Sequence, residues 1–243
     1  VVGVNRCVGQ AGKVAATVAI VALGAGVLGG CTIAVPVAPP SESTRAAAPP
    51  SYAAPTVQAG HDAAAVAAQN MGFEAGTTLS PNIAVGFSDI LGQADNAYDV
   101  APVPAEWTLV KNNVAGQTQY ANAAGCKVAY WVSANQGPLI TSGDDRASSA
   151  DLMKYLIPSL VPDSLKETSL PWVAEAGKPG PVITFLGYGT RSAAGVDASS
   201  VWGRMLGTAG TGLLVSLACP TDELLATTTP RVFTKLSVAP PSN

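Results

Sequence analysis

The sequence predicts an α+β domain over residues 95–243, on three observations. Two runs, Cys126 to Ala134 and Leu213 to Cys219, place apolar residues at every second position, the period of a half-buried strand. A short turn, Asn122-Ala-Ala-Gly125, joins the first of these to a run at Gln117 to Ala121, as a hairpin does. Ser148 with Asp151 three residues on marks a helix start, and Leu152, Tyr155 and Leu156 follow at helical spacing.

In chain order, residues 1–30 read as a signal peptide. Arg6 and Lys13 give a positive start, and Val14 to Leu28 is uncharged and apolar. A transmembrane anchor is the alternative, but this run is shorter than the roughly 20 apolar residues a span needs. Gly24, Gly26 and Gly29 spell the dinucleotide-binding pattern G-x-G-x-x-G inside this leader. That pattern has meaning only between a strand and a helix, so it carries no functional weight here. The run ends at Leu28-Gly29-Gly30-Cys31. An aliphatic residue and two small ones before a cysteine resemble the lipobox of bacterial lipoproteins. The resemblance implies lipidation of Cys31, removal of the preceding peptide, and a mature protein held on the outer face of the cell membrane. Cleavage without lipidation is the competing reading.

Residues 31–60 are rich in Pro, Ala, Ser and Thr, with Pro39-Pro40 and Pro49-Pro50 among them. Such a segment buries little and extends by about 3.1 Å per residue, which suits a spacer; a proline-rich ligand for a grooved partner is the alternative. Residues 61–94 are uncertain and partly helical. Asp62 to Met71 reads as a short helix capped by Asp62 and stopped by Gly72, with little to pack against. Ile83, Val85 and Phe87 alternate as in a strand, while Phe87 to Leu91 also suits a helical turn.

From Tyr98 the pattern sharpens. Trp107 to Val110 is a strand, and the hairpin follows, with Cys126, Val128, Tyr130 and Val132 on one face. Asp144-Asp145-Arg146 marks a loop, and the helix begun at Ser148 ends before Pro158. Pro162 to Thr168 adds a helical turn. Trp172 to Glu175, Val182 to Tyr188 and Val201 to Leu206 read as strands. After a glycine-rich turn at residues 207–212, the next strand puts Leu213, Val215, Leu217 and Cys219 on one face. Thr221 to Lys235 is partly helical with a break at Pro230, and Leu236 to Val238 closes the domain.

The stretch Tyr98 to Trp107 (YDVAPVPAEW) resembles the opening of PsbP-like domains, and the later order of strands, helix, meander, final helix and short strand resembles that family too. The resemblance implies an antiparallel sheet flanked by helices, a role in binding partners, and no catalytic residues to carry over. The candidate disulfide of this chain is not matched to a position in that family's pattern.

Cysteine usage adds a constraint. Cys7 leaves with the leader and Cys31 takes lipid, so Cys126 and Cys219 remain, each on the apolar face of its strand. In an oxidising compartment this pair forms a disulfide. Two buried free thiols are the alternative, and two cysteines without a histidine make no zinc set.

The chain is 12% charged with a formal net charge of −3, and has no basic cluster, which argues against nucleic acid as a partner. The single histidine, His61, falls at the end of the tether, which removes Ser-His and Cys-His chemistry from the domain. No cofactor motif is present in the domain. The acid pairs Asp144/Asp145 and Asp222/Glu223 lie where helix starts favour acids in any case. Trp131, Trp202 and Arg204 are candidates for a binding patch on the sheet surface. The sequence therefore leads to a lipid-anchored, non-enzymatic binding or accessory module of the envelope, with an unknown envelope protein or apolar ligand as partner. A carrier of lipid at the membrane surface and a carboxylate- or metal-dependent hydrolase are the alternatives.

Overall fold

A computed structural model describes residues 62–75, 79–94 and 104–242. Cys31, the leader, the tether and the motif-bearing stretch from Tyr98 to Val103 lie outside the described residues.

Antiparallel sheet dominates. Seven strands, β2 (Trp107–Val114), β3 (Gln117–Asn122), β4 (Lys127–Ala134), β5 (Lys166–Pro171), β6 (Val182–Thr190), β7 (Ala198–Leu206) and β8 (Thr211–Cys219), form one sheet in the order β2-β3-β4-β8-β7-β6-β5. Helix α2 (Asp145–Leu156) covers one face, where Leu152 and Met153 meet Met205, Leu214 and Leu186. The other face carries the larger core. Val128, Leu213, Val215, Leu217 and Trp202 pack there beneath helix α3 (Asp222–Lys235) and a two-stranded ribbon of β1 (Gly86–Asp89) with β9 (Leu236–Ala239). Alternation decides both layers: consecutive residues of β8, Leu214 and Val215, belong to opposite clusters.

The cysteines meet as their strand faces require. Lys127 pairs with Ala218 across β4 and β8, so Cys126 and Cys219 stand opposite each other one step further out. They form a disulfide with Cα atoms 4.2 Å apart across a sequence separation of 93. Both are fully buried, and the Thr228 hydroxyl of α3 lies 3.8 Å from the Cys126 sulfur.

Several elements depart from the sequence reading, each for a local reason. The core begins well before residue 95. Val66 of α1 (Ala63–Ala67), Met71, Leu79, Val85 and Leu91 all belong to the main cluster. The short helix does have a partner, accepting the Trp172 indole N–H at the Val66 carbonyl, 3.0 Å away. Helix α2 starts at Asp145, because Asp144 caps it by accepting the Ala147 N–H at 2.8 Å. Ser148 instead bonds the Thr141 and Asp144 carbonyls. The buried side of α2 is Ser148, Ser149, Leu152 and Met153, and Tyr155 turns to solvent at 70% exposure. Small side chains and Gly203, above which the Met153 sulfur lies, let the helix approach the sheet closely. Trp172 to Glu175 forms no strand; Trp172 makes only a bridge to Val238, and β5 comes before it. Helix α3 runs through Pro230 unbroken. Ala226, whose carbonyl loses the N–H that proline lacks, is exposed, so water can serve it.

Candidate functional site

On the face that α3 partly covers, β5, β6 and β7 form a trough. Lys166 pairs with Gly187, and Gly187 pairs with Trp202, so the three make one row across three strands on one face. Two residues along β6, Gly189 pairs with Ser200. The period of two puts both glycines on the same face of the middle strand, which therefore offers bare backbone between flanking side chains. Register is continuous from Leu186↔Gly203 to Thr190↔Ser199, so no bulge accounts for the glycines.

Gly187 has a packing reason as well. A Cβ there would fall 2.7 Å from Cδ1 and 2.9 Å from Nε1 of Trp202, so the indole edge lies over the glycine. The ring is held from behind by Phe233 of α3, edge to face at 4.9 Å between centroids. Two recesses, of about 360 and 760 Å³, share Lys166, Gly189, Ser200 and Trp202 and so make one continuous trough. The first continues to Ser164 and Thr168; the second runs under Leu225 and Thr229 of α3 to Arg191 and Asp222. Asp222 is engaged there, accepting the Ser192 N–H at 2.8 Å. Trp202 is only 5% exposed, and what it does expose borders the first recess; among the described residues the buried side-chain donors without a partner are Trp107 Nε1 and Arg204 Nε.

The residues expected to form a surface patch are not brought together. Trp131 pairs with Leu214 and Trp202 with Val215, which places the two indoles on opposite faces of the sheet. Trp131 packs beside Leu139 and Ile140 on the α2 side. Arg204 is fully buried. Pairing of β6 with β7 ends at Leu186↔Gly203, and residue 71 takes up the freed edge of β6 through Met71 N–H to the Val182 carbonyl. The Arg204 guanidinium fills the opening. It donates to Asp145 Oδ2 at 3.0 Å and the Gly72 carbonyl at 2.8 Å, and lies 4.4 Å from the Phe73 ring centroid. Asp145 also accepts the Gly207 N–H at 2.9 Å. Burial pushes the Asp145 carboxyl up and the Arg204 guanidinium down to about 10, so each depends on the other for its charge. This pair is a pin between α2, β7 and the N-terminal segment.

A second polar cluster centres on Asp89. Its Oδ1 accepts the Tyr120 hydroxyl at 2.9 Å and the Leu91 N–H at 3.1 Å, and its Oδ2 accepts the Tyr130 hydroxyl. Burial and then the bond to Asp89 push the Tyr120 hydroxyl up to about 12, and Tyr130 rises further for the same reasons. With three donors on one carboxylate, the cluster clasps β1 to β3 and β4. Among the described residues no three side chains gather as a metal site, and no helix is long and apolar enough to cross a membrane.

Lys166, Gly187, Gly189 and Ser200 escaped the sequence reading because β5 (Lys-Glu-Thr-Ser-Leu-Pro) lacks an apolar alternation. The signal that could have found the trough is Gly187-Tyr-Gly189 within an apolar strand.

The chain matches no protein-family model and no curated protein. Among solved structures it is similar to a protein of Bacteroides thetaiotaomicron, at 11% identity and a TM-score of 0.31, over 55% of this chain and 42% of that one. The chain thus spans less than half of that structure's length. It is also similar to a mutant of the protein Mog1, at 11% identity and a TM-score of 0.29, over 55% of this chain and 78% of that one. The Ran-binding protein Mog1p of Saccharomyces cerevisiae gives 9% identity and a TM-score of 0.29, over 61% and 84% of the two chains. Likeness at this level identifies no function.

Proposed function

We propose that this chain is an exported, lipid-anchored binding module of the cell envelope, with the β5–β7 trough as its binding surface. The observation that carries the binding role is the row Lys166–Gly187–Trp202, in which an exposed ammonium and an indole edge lying over the glycine border one open recess. Export is supported by the Cys126–Cys219 disulfide, which belongs in an oxidising compartment. Lipidation at Cys31 is supported by Leu28-Gly29-Gly30 before it. The finer, PsbP-like reading of the fold is supported by the order β2-β3-β4, α2, four meandering strands, α3 and a short last strand.

A binding module is favoured over a lipid carrier by the packing under α3. Thr228 and Val232 of the helix are buried, and Phe233 closes on Trp202, so side chains fill the middle of the helix–sheet interface and the trough is an open recess at its margin. Two measurements test the reading. Cys31→Ala should release the protein from membranes or leave its precursor unprocessed, because lasting attachment needs two or more acyl chains on the anchor. A mutant that fractionates with membranes at mature size refutes the anchor. Native mass spectrometry of the mature protein should show no co-purified acyl lipid beyond the anchor; a stoichiometric lipid adduct would establish the carrier instead.

A further inference from the structure

We infer that the trough over Gly187 receives a small anionic group, a carboxylate or a phosphate, held between the Lys166 ammonium and the Trp202 indole N–H. This rests on the reading of the trough as a binding surface and adds the chemistry of its ligand.

The row supplies the geometry. Adjacent strands are about 4.8 Å apart, so Lys166 and Trp202 stand about 10 Å apart across Gly187, and the indole edge reaches over the glycine towards the lysine side. The indole nitrogen lies beside the bare face of Gly187, 2.9 Å from where a Cβ would stand. The indole N–H donates to no described residue and borders the open recess, so a ligand oxygen lying beside it can accept that hydrogen.

The flanking groups set the sign. Lys166 is exposed and forms no ion pair among the described residues, and the Ser200 hydroxyl adds a donor one row on. Arg191 lines the far end of the trough. Of the acids nearby, Glu167 is paired with Arg146 at 3.1 Å, and Asp222 lies at the Arg191 end of the trough, where it accepts the Ser192 N–H. Donors and positive charge thus converge on a floor that offers no competing carboxylate at the Gly187 row. Charge-assisted hydrogen bonds from an ammonium and an N–H are what a carboxylate or phosphate oxygen takes. A recess of about 360 Å³ suits such a group on a small molecule or a lipid headgroup.

The test uses full-length protein with ¹⁵N-labelled tryptophan indoles, the Trp202 signal being assigned with Trp202→Phe. The probes are sodium phosphate, sodium acetate, and vesicles of phosphatidylglycerol or phosphatidylcholine. Phosphate or acetate should displace the Trp202 signal saturably and leave Trp107, Trp131 and Trp172 in place. Lys166→Met should weaken that response by about tenfold or more; Lys166 is exposed on an edge strand, and an unchanged circular dichroism melt will confirm that this variant folds. A response to phosphatidylglycerol but not to free anions or phosphatidylcholine would support the same chemistry with a headgroup as its source. No response to any anionic probe, equal responses to both vesicles, or a response unaltered in Lys166→Met overturns the inference. Membrane release of Cys31→Ala is independent of all these outcomes, so loss of the anion site would leave the envelope address standing.

Discussion

Asp145→Ala should be among the most damaging single substitutions in this domain. The Asp145 and Arg204 side chains are 2% and 0% exposed, so removing the carboxylate strands a guanidinium that water cannot reach. Breaking such a pair costs about 3–5 kcal/mol, and the lost bond to the Gly207 N–H falls within that figure. With a urea dependence of about 2 kcal/mol per molar, the unfolding midpoint should fall by about 2 M. Urea titration followed by tryptophan fluorescence would measure it. The double variant Asp145→Leu/Arg204→Met should recover part of the loss, because no unpaired charge remains, although the Gly72 and Thr184 carbonyls lose their donor. Arg204→Met alone carries a further signature. Without the guanidinium, burial holds the folded Asp145 carboxyl above its unfolded value, so stability is present in acid and declines as pH rises through the folded value. A loss below about 1 kcal/mol in Asp145→Ala, or an Arg204→Met variant indifferent to pH, would refute the account of the pair as a mutually dependent pin.

Two other outcomes follow from the same structure. Reduction of Cys126–Cys219 should lower the melting temperature by the equivalent of about 4–5 kcal/mol on the chain-entropy model, while far-ultraviolet circular dichroism below the transition stays unchanged. Alkali should unfold the protein through its tyrosines. Below pH 10 the contribution of Tyr120 is complete; as pH climbs towards 12 the unfolded chain ionises first and stability is lost, with Tyr130 acting in the same direction. Urea titrations between pH 9 and about 11.5 should show this decline, and Tyr120→Phe/Tyr130→Phe should flatten it.

Strands with one buried face were legible in the sequence, and their reason is physical. Around Val128 and Leu213 one face meets a core and the other does not, and alternation records it. The disulfide was legible by the same route, since both cysteines continue an apolar face. What stayed hidden was decided by tertiary partners. Ser148 carries the local signature of a cap, but Asp144 stands one turn earlier with a better-placed oxygen. Strand β5 is an edge strand with a polar sequence, defined by what β6 offers it. Arg204 looked like a surface residue because nothing local announces that Asp145, 59 positions away, neutralises it. The trough was half visible: the glycines could be read, whereas the placement of the Trp202 ring depends on Phe233 of α3.

The pairing of β1 with β9 has a mechanical consequence for the proposed attachment through Cys31. Antiparallel bonds from Gly86↔Ala239 to Asp89↔Leu236 zip an early strand to the last one, while the cross-link between Cys126 and Cys219 encloses only the sequence between them. Tension entering at residue 62 would meet α1, the Met71 bridge and then β1 before reaching any covalently closed part of the chain. These elements can peel in sequence, each yielding length, while β4 and β8 stay clamped. Were the domain anchored through Cys31 as proposed, α1, the Met71 bridge and β1 would yield to a pull before the trough on β5–β7 was disturbed.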